Sequence, residues 1–230
     1  MVQRFSFFPG GLARAIPDRL VRASLLVVAL WSATPASAAD PAETPPGATA
    51  VIEGLHAALL GTMKQAEALG FEGRYQRLEP TLRRTFDFDF MAEKACGRYW
   101  RSLGEADRER MRAIFARFTL STYASRFSGY SGERFEIESE APAPRDTVFV
   151  RTQLVRSDGE DNVEINYRLH RTASGWRVID VLLRGTVSEL ALRRSEYSSV
   201  IKRDGFEALI STLQGKIADL AAGQIDDSPS

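Results

Sequence analysis

VEINYRLHRTASGWRVIDVLL, residues 163–183, is the stretch on which the fold class turns. Val163, Ile165, Tyr167 and Leu169 alternate with Glu164, Asn166, Arg168 and His170, the period of a strand with one apolar and one polar face. The residues 172–175 form a tight turn, and Trp176 to Leu183 makes a further strand. Upstream, Val148, Val150, Thr152 and Leu154 alternate likewise and connect forward through the turn signal Ser157-Asp158-Gly159. Phe135 and Ile137 mark residues 134–139 as an edge strand before a loop holding Pro142 and Pro144. The reading is an antiparallel meander of about four strands, with one face solvated and the other covered by helices.

Helical periodicity flanks this meander on both sides. Ile52, Leu55, Leu59 and Met63 form a first line, and Phe71, Tyr75, Leu78, Leu82 and Phe86 a second that Pro80 can interrupt. Asp87 or Asp89 can cap a third helix that lines up Phe88, Met91, Ala95 and Tyr99. The fourth, from Glu105 to about Ser128, carries two stripes: Met111, Ile114, Phe115, Phe118, and then Leu120, Tyr123, Ala124, Phe127. Helical geometry turns these stripes to opposite sides, so the helix either breaks near Thr119 or is buried on both. After the meander, Thr186 with Glu189 reads as a capping box for a helix marked by Leu190, Tyr197 and Ile201. Asp204 with Glu207 repeats the pattern before Phe206, Leu209, Ile210, Leu213, Ile217 and Leu220. Helices, then a meander, then helices describe an α+β domain over residues 48–221.

Residues 1–38 have the form of a secretory signal peptide: Arg4, Arg14, Arg19 and Arg22, an apolar run from Ala23 to Trp31, and Ala36-Ser37-Ala38 before the expected cleavage. The run is far shorter than a bilayer span. Residues 39–47 read as a proline-rich flexible leader and residues 222–230 as a small polar tail. The whole chain balances 30 basic against 30 acidic residues, and losing the leader's arginines leaves it mildly acidic. No field of that kind draws a protein to nucleic acid.

The inventory for chemistry is thin. Cys96 has no partner for a disulfide and sits as a small core residue on the third helix. His56 and His170 lack the neighbours of a metal site, and neither a phosphate loop nor a nucleophile elbow is present. Asp87 and Asp89, alternating with Phe86, Phe88 and Phe90, read as caps, with a carboxylate pair as the alternative. Asp180, mid-strand, reads as a carboxylate tying sheet to helix, with a general base of raised pKa as the alternative. The pairs Arg83-Arg84, Arg193-Arg194 and Lys202-Arg203 read as helical surface charge, with a face toward an anionic headgroup or a partner as the alternative. No catalytic residue, cofactor or metal is assigned.

Four stretches in succession resemble the MlaC-type, or toluene-tolerance, family of periplasmic phospholipid-binding proteins. They are FDFMAEKACGRYW (residues 88–100), residues 103–118 with Phe115-Ala116-Arg117-Phe118, residues 123–137 with Tyr130-Ser131-Gly132-Glu133, and residues 175–188 with Gly-Trp-Arg-Val-Ile-Asp-Val. Gly185-Thr186-Val187-Ser188 is one residue longer than the family's usual Gly-Val-Ser and is similar to the hopanoid-cluster-associated HpnM branch. The resemblance implies a monomeric, non-enzymatic periplasmic lipid carrier with an apolar lipid cavity between sheet and helices. Its partners are lipid (phospholipid or hopanoid) and the membrane-bound lipid-transport complexes of the envelope. On the residues, the cavity is expected to be lined by Phe115, Phe118, Tyr123 and Phe127 of the fourth helix. The strands contribute Val148, Val150, Leu154, Ile165, Tyr167, Trp176, Val178 and Leu182. An enzymatic or small-ligand cone using Asp180 or His170, and an envelope adaptor without ligand, stay open as alternatives.

Overall fold

The alternation in residues 147–183 produces long paired strands, and the computed structural model describes residues 46–224 apart from 158 and 160. The order is α1 (Ala48–Met63), α2 (Ala66–Thr85), α3 (Phe88–Cys96), a 3-10 turn (Gly97–Ser102) and α4 (Glu105–Arg126). The sheet follows as β1 (Arg134–Ala143), β2 (Thr147–Val155), β3 (Val163–Thr172), β4 (Gly175–Leu183) and β5 (Val187–Ser188). α5 (Glu189–Asp204) and α6 (Phe206–Ala221) close the fold. The five strands lie in chain order and pair antiparallel, so the expected α+β meander is present with one short strand added. The expected leader, residues 1–38, and part of the Ser157-Asp158-Gly159 turn lie outside the described residues.

Several local expectations are corrected. β1 continues through Pro142 to Ala143, with a bulge between Ile137 and Ser139. It is an edge strand, where proline's missing N–H leaves no ladder partner unsatisfied. In α2 the break is at Gly70, whose φ of 60° only glycine adopts easily, and the helix runs on through Pro80. The α5 cap is Ser188, accepting from the Ala191 amide at 2.9 Å, because Thr186 is taken up by the turn from β4 to β5. Asp204 ends α5, and Gly205 at φ 88° separates it from α6 without a side-chain cap. Glu207 instead makes a bidentate pair with Arg110 at 2.6 and 2.7 Å. Asp87 does cap α3, accepting from the Phe90 amide at 2.9 Å.

α4 resolves its two stripes without breaking. It packs against α2, α3 and α6, and every residue from Ile114 to Ala124 except Arg117 is buried. It is therefore the interior helix of the helical layer. α1 covers the sheet directly, against β1, β2 and β4, while α2, α3 and α5 meet β4.

Candidate functional site

The helix-facing side of the sheet follows from strand register. Val148, Val150 and Leu154 of β2 stand opposite Leu169, Tyr167 and Val163 of β3. Tyr167 is in turn opposite Val181, and Leu169 opposite Val178. Val150, Tyr167, Leu169 and Val178 have no exposed surface, and Ile165 and Val181 are buried. Thr152, the polar member, spends its hydroxyl on the Ile165 carbonyl and its amide on Asn166 Oδ1.

β4 departs from simple alternation. Arg168 pairs with Asp180 but Leu169 with Val178, which leaves Ile179 as an extra residue in a bulge. Trp176 and Val178 therefore share a face with Val181 and Leu183. Leu182 turns with Asp180 to the opposite face, where it pairs with Asn166. The sequence had grouped Leu182 with Val178, and the bulge reverses that parity. Trp176 lies at the hairpin end, 6.0 Å beneath the Arg171 guanidinium.

The aromatics Phe115, Phe118 and Tyr123 of α4 and Phe127 at its C-terminal cap divide in the same manner. Phe118 faces α5 and α6, with Arg193 at 4.5 Å and Lys216 at 5.9 Å from its ring, and so stands away from the sheet. Phe115 meets Phe88 edge-on at 6.4 Å. Tyr123 and Phe127 belong to a chain of ring contacts running Phe88, Phe86, Tyr123, Phe127, Phe135, His56, with centroid separations from 4.1 to 6.2 Å. Buried Phe86, Leu169, Val181 and His56, and half-buried Phe135, are residues of this seam that the expected lining does not include. The alternation through Leu169 and the position of His56 within α1's apolar line were the signals that pointed to them.

The polar groups around the sheet are mostly bound to structure. Asp180 accepts from Ser188 Oγ at 2.6 Å and from the Leu190 amide at 3.1 Å, anchoring the start of α5 to the sheet. Burial raises its pKa and those two bonds oppose the rise. His170 Nε2 lies 2.8 Å from Asp87 Oδ2, linking β3 to the α3 cap. Arg126 and Glu189 pair at 2.5 Å between the end of α4 and the start of α5, with 19% and 13% of their side chains exposed. Burial pushes the Cys96 thiol up to about 12, outside the range of a reactive thiolate. Among the described residues no cluster of metal-ligating side chains occurs, and no helix is long and apolar enough to cross a membrane.

Among the described residues, surface depressions of about 400, 510 and 450 Å³ lie on the polar rim around α3. Arg83, Asp87 and Arg177 border the first, Asp89, Glu93 and Trp100 the second, and Arg98, Arg101 and Arg194 the third. Along the seam itself the apolar side chains pack on one another in a single buried cluster.

This architecture has known counterparts. A solved structure titled as the phospholipid-binding protein from Ralstonia solanacearum in complex with a phospholipid superposes with a TM-score of 0.67 at 22% identity. That likeness of fold covers 76% of this chain and 99% of the other. The intermembrane phospholipid transport system binding protein MlaC of Haemophilus influenzae is 23% identical over 131 residues, 56% of this chain. The match spans 61% of that relative's length. Residues 53–215 match the profile of the family described as MlaC protein, and the chain belongs to that family.

Proposed function

We propose that this protein is a periplasmic lipid carrier that takes acyl chains between the helix-facing side of its sheet and the helices above it. The observation that carries this reading is an apolar sheet face, centred on Val150, Tyr167 and Val178, covered by helices in a chain of the MlaC family. The fold it shares with a structure titled as a phospholipid complex adds support. The carrier exchanges phospholipid or hopanoid with membrane-bound transport complexes of the envelope, and the leader-like residues 1–38 direct its export. In the loaded protein the seam between α1 and the sheet parts to admit the chains.

Energetics favour exchange over capture. Burying about thirty methylenes is worth on the order of 24 kcal/mol against water, at about 0.8 kcal/mol each. The cargo leaves a bilayer, so nearly all of this cancels, and a compartment that matches the bilayer both loads and unloads.

The test is solvent extraction and mass spectrometry of protein purified from the periplasm without detergent. A near-stoichiometric lipid is expected, and its class separates glycerophospholipid from hopanoid cargo. Protein that carries no lipid and takes none from vesicles of total envelope lipid would overturn the reading.

A further inference from the structure

Within the apolar seam lies a hydrogen-bonded polar pair that joins α1 to β3. His56 sits on the buried face of α1 among Ile52, Leu55 and Leu59, with 5% of its surface exposed. Its ring stacks on Phe135 with centroids 4.1 Å apart and planes 10° from parallel. Its Nε2 is 3.3 Å from the hydroxyl of Tyr167, the fully buried residue at the centre of β3 between Val150 and Val181. That separation is at the long end for a hydrogen bond.

The pair has hydrogen-bonding capacity left over. A neutral imidazole has one donor and one acceptor, and a phenol one donor and two acceptor lone pairs. Their mutual bond uses a single donor and a single acceptor, and it is the one hydrogen bond seen for these side chains among the described residues. Leucine and phenylalanine would fill the same space without desolvating two polar groups for a single long hydrogen bond.

We propose that His56 and Tyr167 form an uncharged hydrogen-bonding subsite that receives a neutral oxygen of the cargo, an ester carbonyl or a hydroxyl. The proposal rests on the carrier reading above and adds a selection rule to it: lipids with such an oxygen in their apolar body are retained over those without. Neutrality of the subsite follows from its surroundings. Burial pushes His56 down to about 4 and raises Tyr167 well above its ordinary value. Tyr123 is a second neutral phenol nearby, and Glu189, the carboxylate whose charge acts on Tyr167, is paired with Arg126. A phosphate or carboxylate finds no countercharge at the subsite, so the headgroup lies elsewhere.

The experiment compares matched ligands on delipidated full-length mature protein. One arm sets a diacyl phosphatidylglycerol against its dialkyl ether analogue, and the other a pentacyclic triterpene alcohol against its parent hydrocarbon. A preference of about tenfold for the oxygenated member, the effect of one good hydrogen bond, is expected in one arm, which identifies the source of the oxygen. Tyr167→Phe and His56→Leu are expected to lose that preference through weaker retention of the oxygenated ligand. In wild-type protein, loading with the preferred lipid is expected to shift the ring nitrogen resonances of His56, a readout that needs no variant to fold. Lipid binding with equal affinity for both members of each pair, and an unmoved His56, would overturn the subsite while leaving the carrier intact. Failure to bind any of the four ligands would remove the carrier reading and the subsite with it.

Discussion

Acidification offers the sharpest test of how the interior is built, because it acts on one buried ring. His56 is stacked on Phe135 and faces Tyr167, and burial lowers its pKa from 6.5 to about 4. Unfolded chains take up the proton near pH 6.5, whereas the folded protein resists until about pH 4. Between those values the unfolded state holds more protons, so stability is complete above pH 6.5 and falls as the pH drops toward 4. At about 1.4 kcal/mol per pH unit, the full window is worth about 3 kcal/mol. That is a large share of the 5–15 kcal/mol typical of a domain. Asp180 acts in the opposite sense, since its raised pKa makes the folded state the better proton acceptor above 3.8. His56→Leu retains Asp180 and every other carboxylate, so the comparison of variant with wild type isolates the imidazole. Urea unfolding at a series of pH values is expected to show the wild type losing about 3 kcal/mol relative to the variant between pH 6.5 and 4. Parallel curves for the two proteins would refute the assignment of His56 as a buried neutral group.

Asp180→Ala removes the acceptor of both Ser188 Oγ and the Leu190 amide and is expected to cost about 1–3 kcal/mol in denaturant melts, with Asp180→Asn costing less. Arg126→Met leaves Glu189 largely buried without its cation and is expected to cost about 2 kcal/mol. The double variant Arg126→Met/Glu189→Gln should recover part of that loss, and a double variant no more stable than the single would contradict the pairing argument. Val150→Trp places an indole at the fully buried centre of β2. It is expected to lose about 1–3 kcal/mol while purifying folded with severalfold less lipid by mass spectrometry. Unchanged lipid content in that folded variant would contradict a cargo seated on this face.

The boundaries of most elements were legible because they rest on short-range patterns. The stripe through Leu209, Ile210, Leu213 and Leu220 predicts α6, and the alternation through Ile165, Tyr167 and Leu169 predicts β3 and its buried face. Asp87 as the α3 cap needed only the amide three residues on. Errors came where two local signals competed. Thr186 and Ser188 can each cap a helix, and pairing of Val187 and Ser188 with β4 selects the latter. Pro80 and Gly70 can each break a helix, and the positive φ at Gly70 is where α2 yields. The division of α4's aromatics, with Phe118 toward Arg193 and Tyr123 toward Phe86, depends on which helices surround it.

The sequence by itself determined the class of the fold, the alternating faces of β3 and the poverty of catalytic groups, since periodicity and composition are properties of neighbouring residues. Tertiary structure alone decided the composition of the site. The bulge at Ile179 reverses the faces of Asp180 and Leu182, and no local residue pattern encodes it. His56 meets Tyr167 across 111 residues of chain, a contact that exists only once α1 lies on the sheet. A strand's side chains alternate with a period of two, so one inserted residue exchanges inside for outside, and only the pairing of whole strands and helices shows where that residue falls.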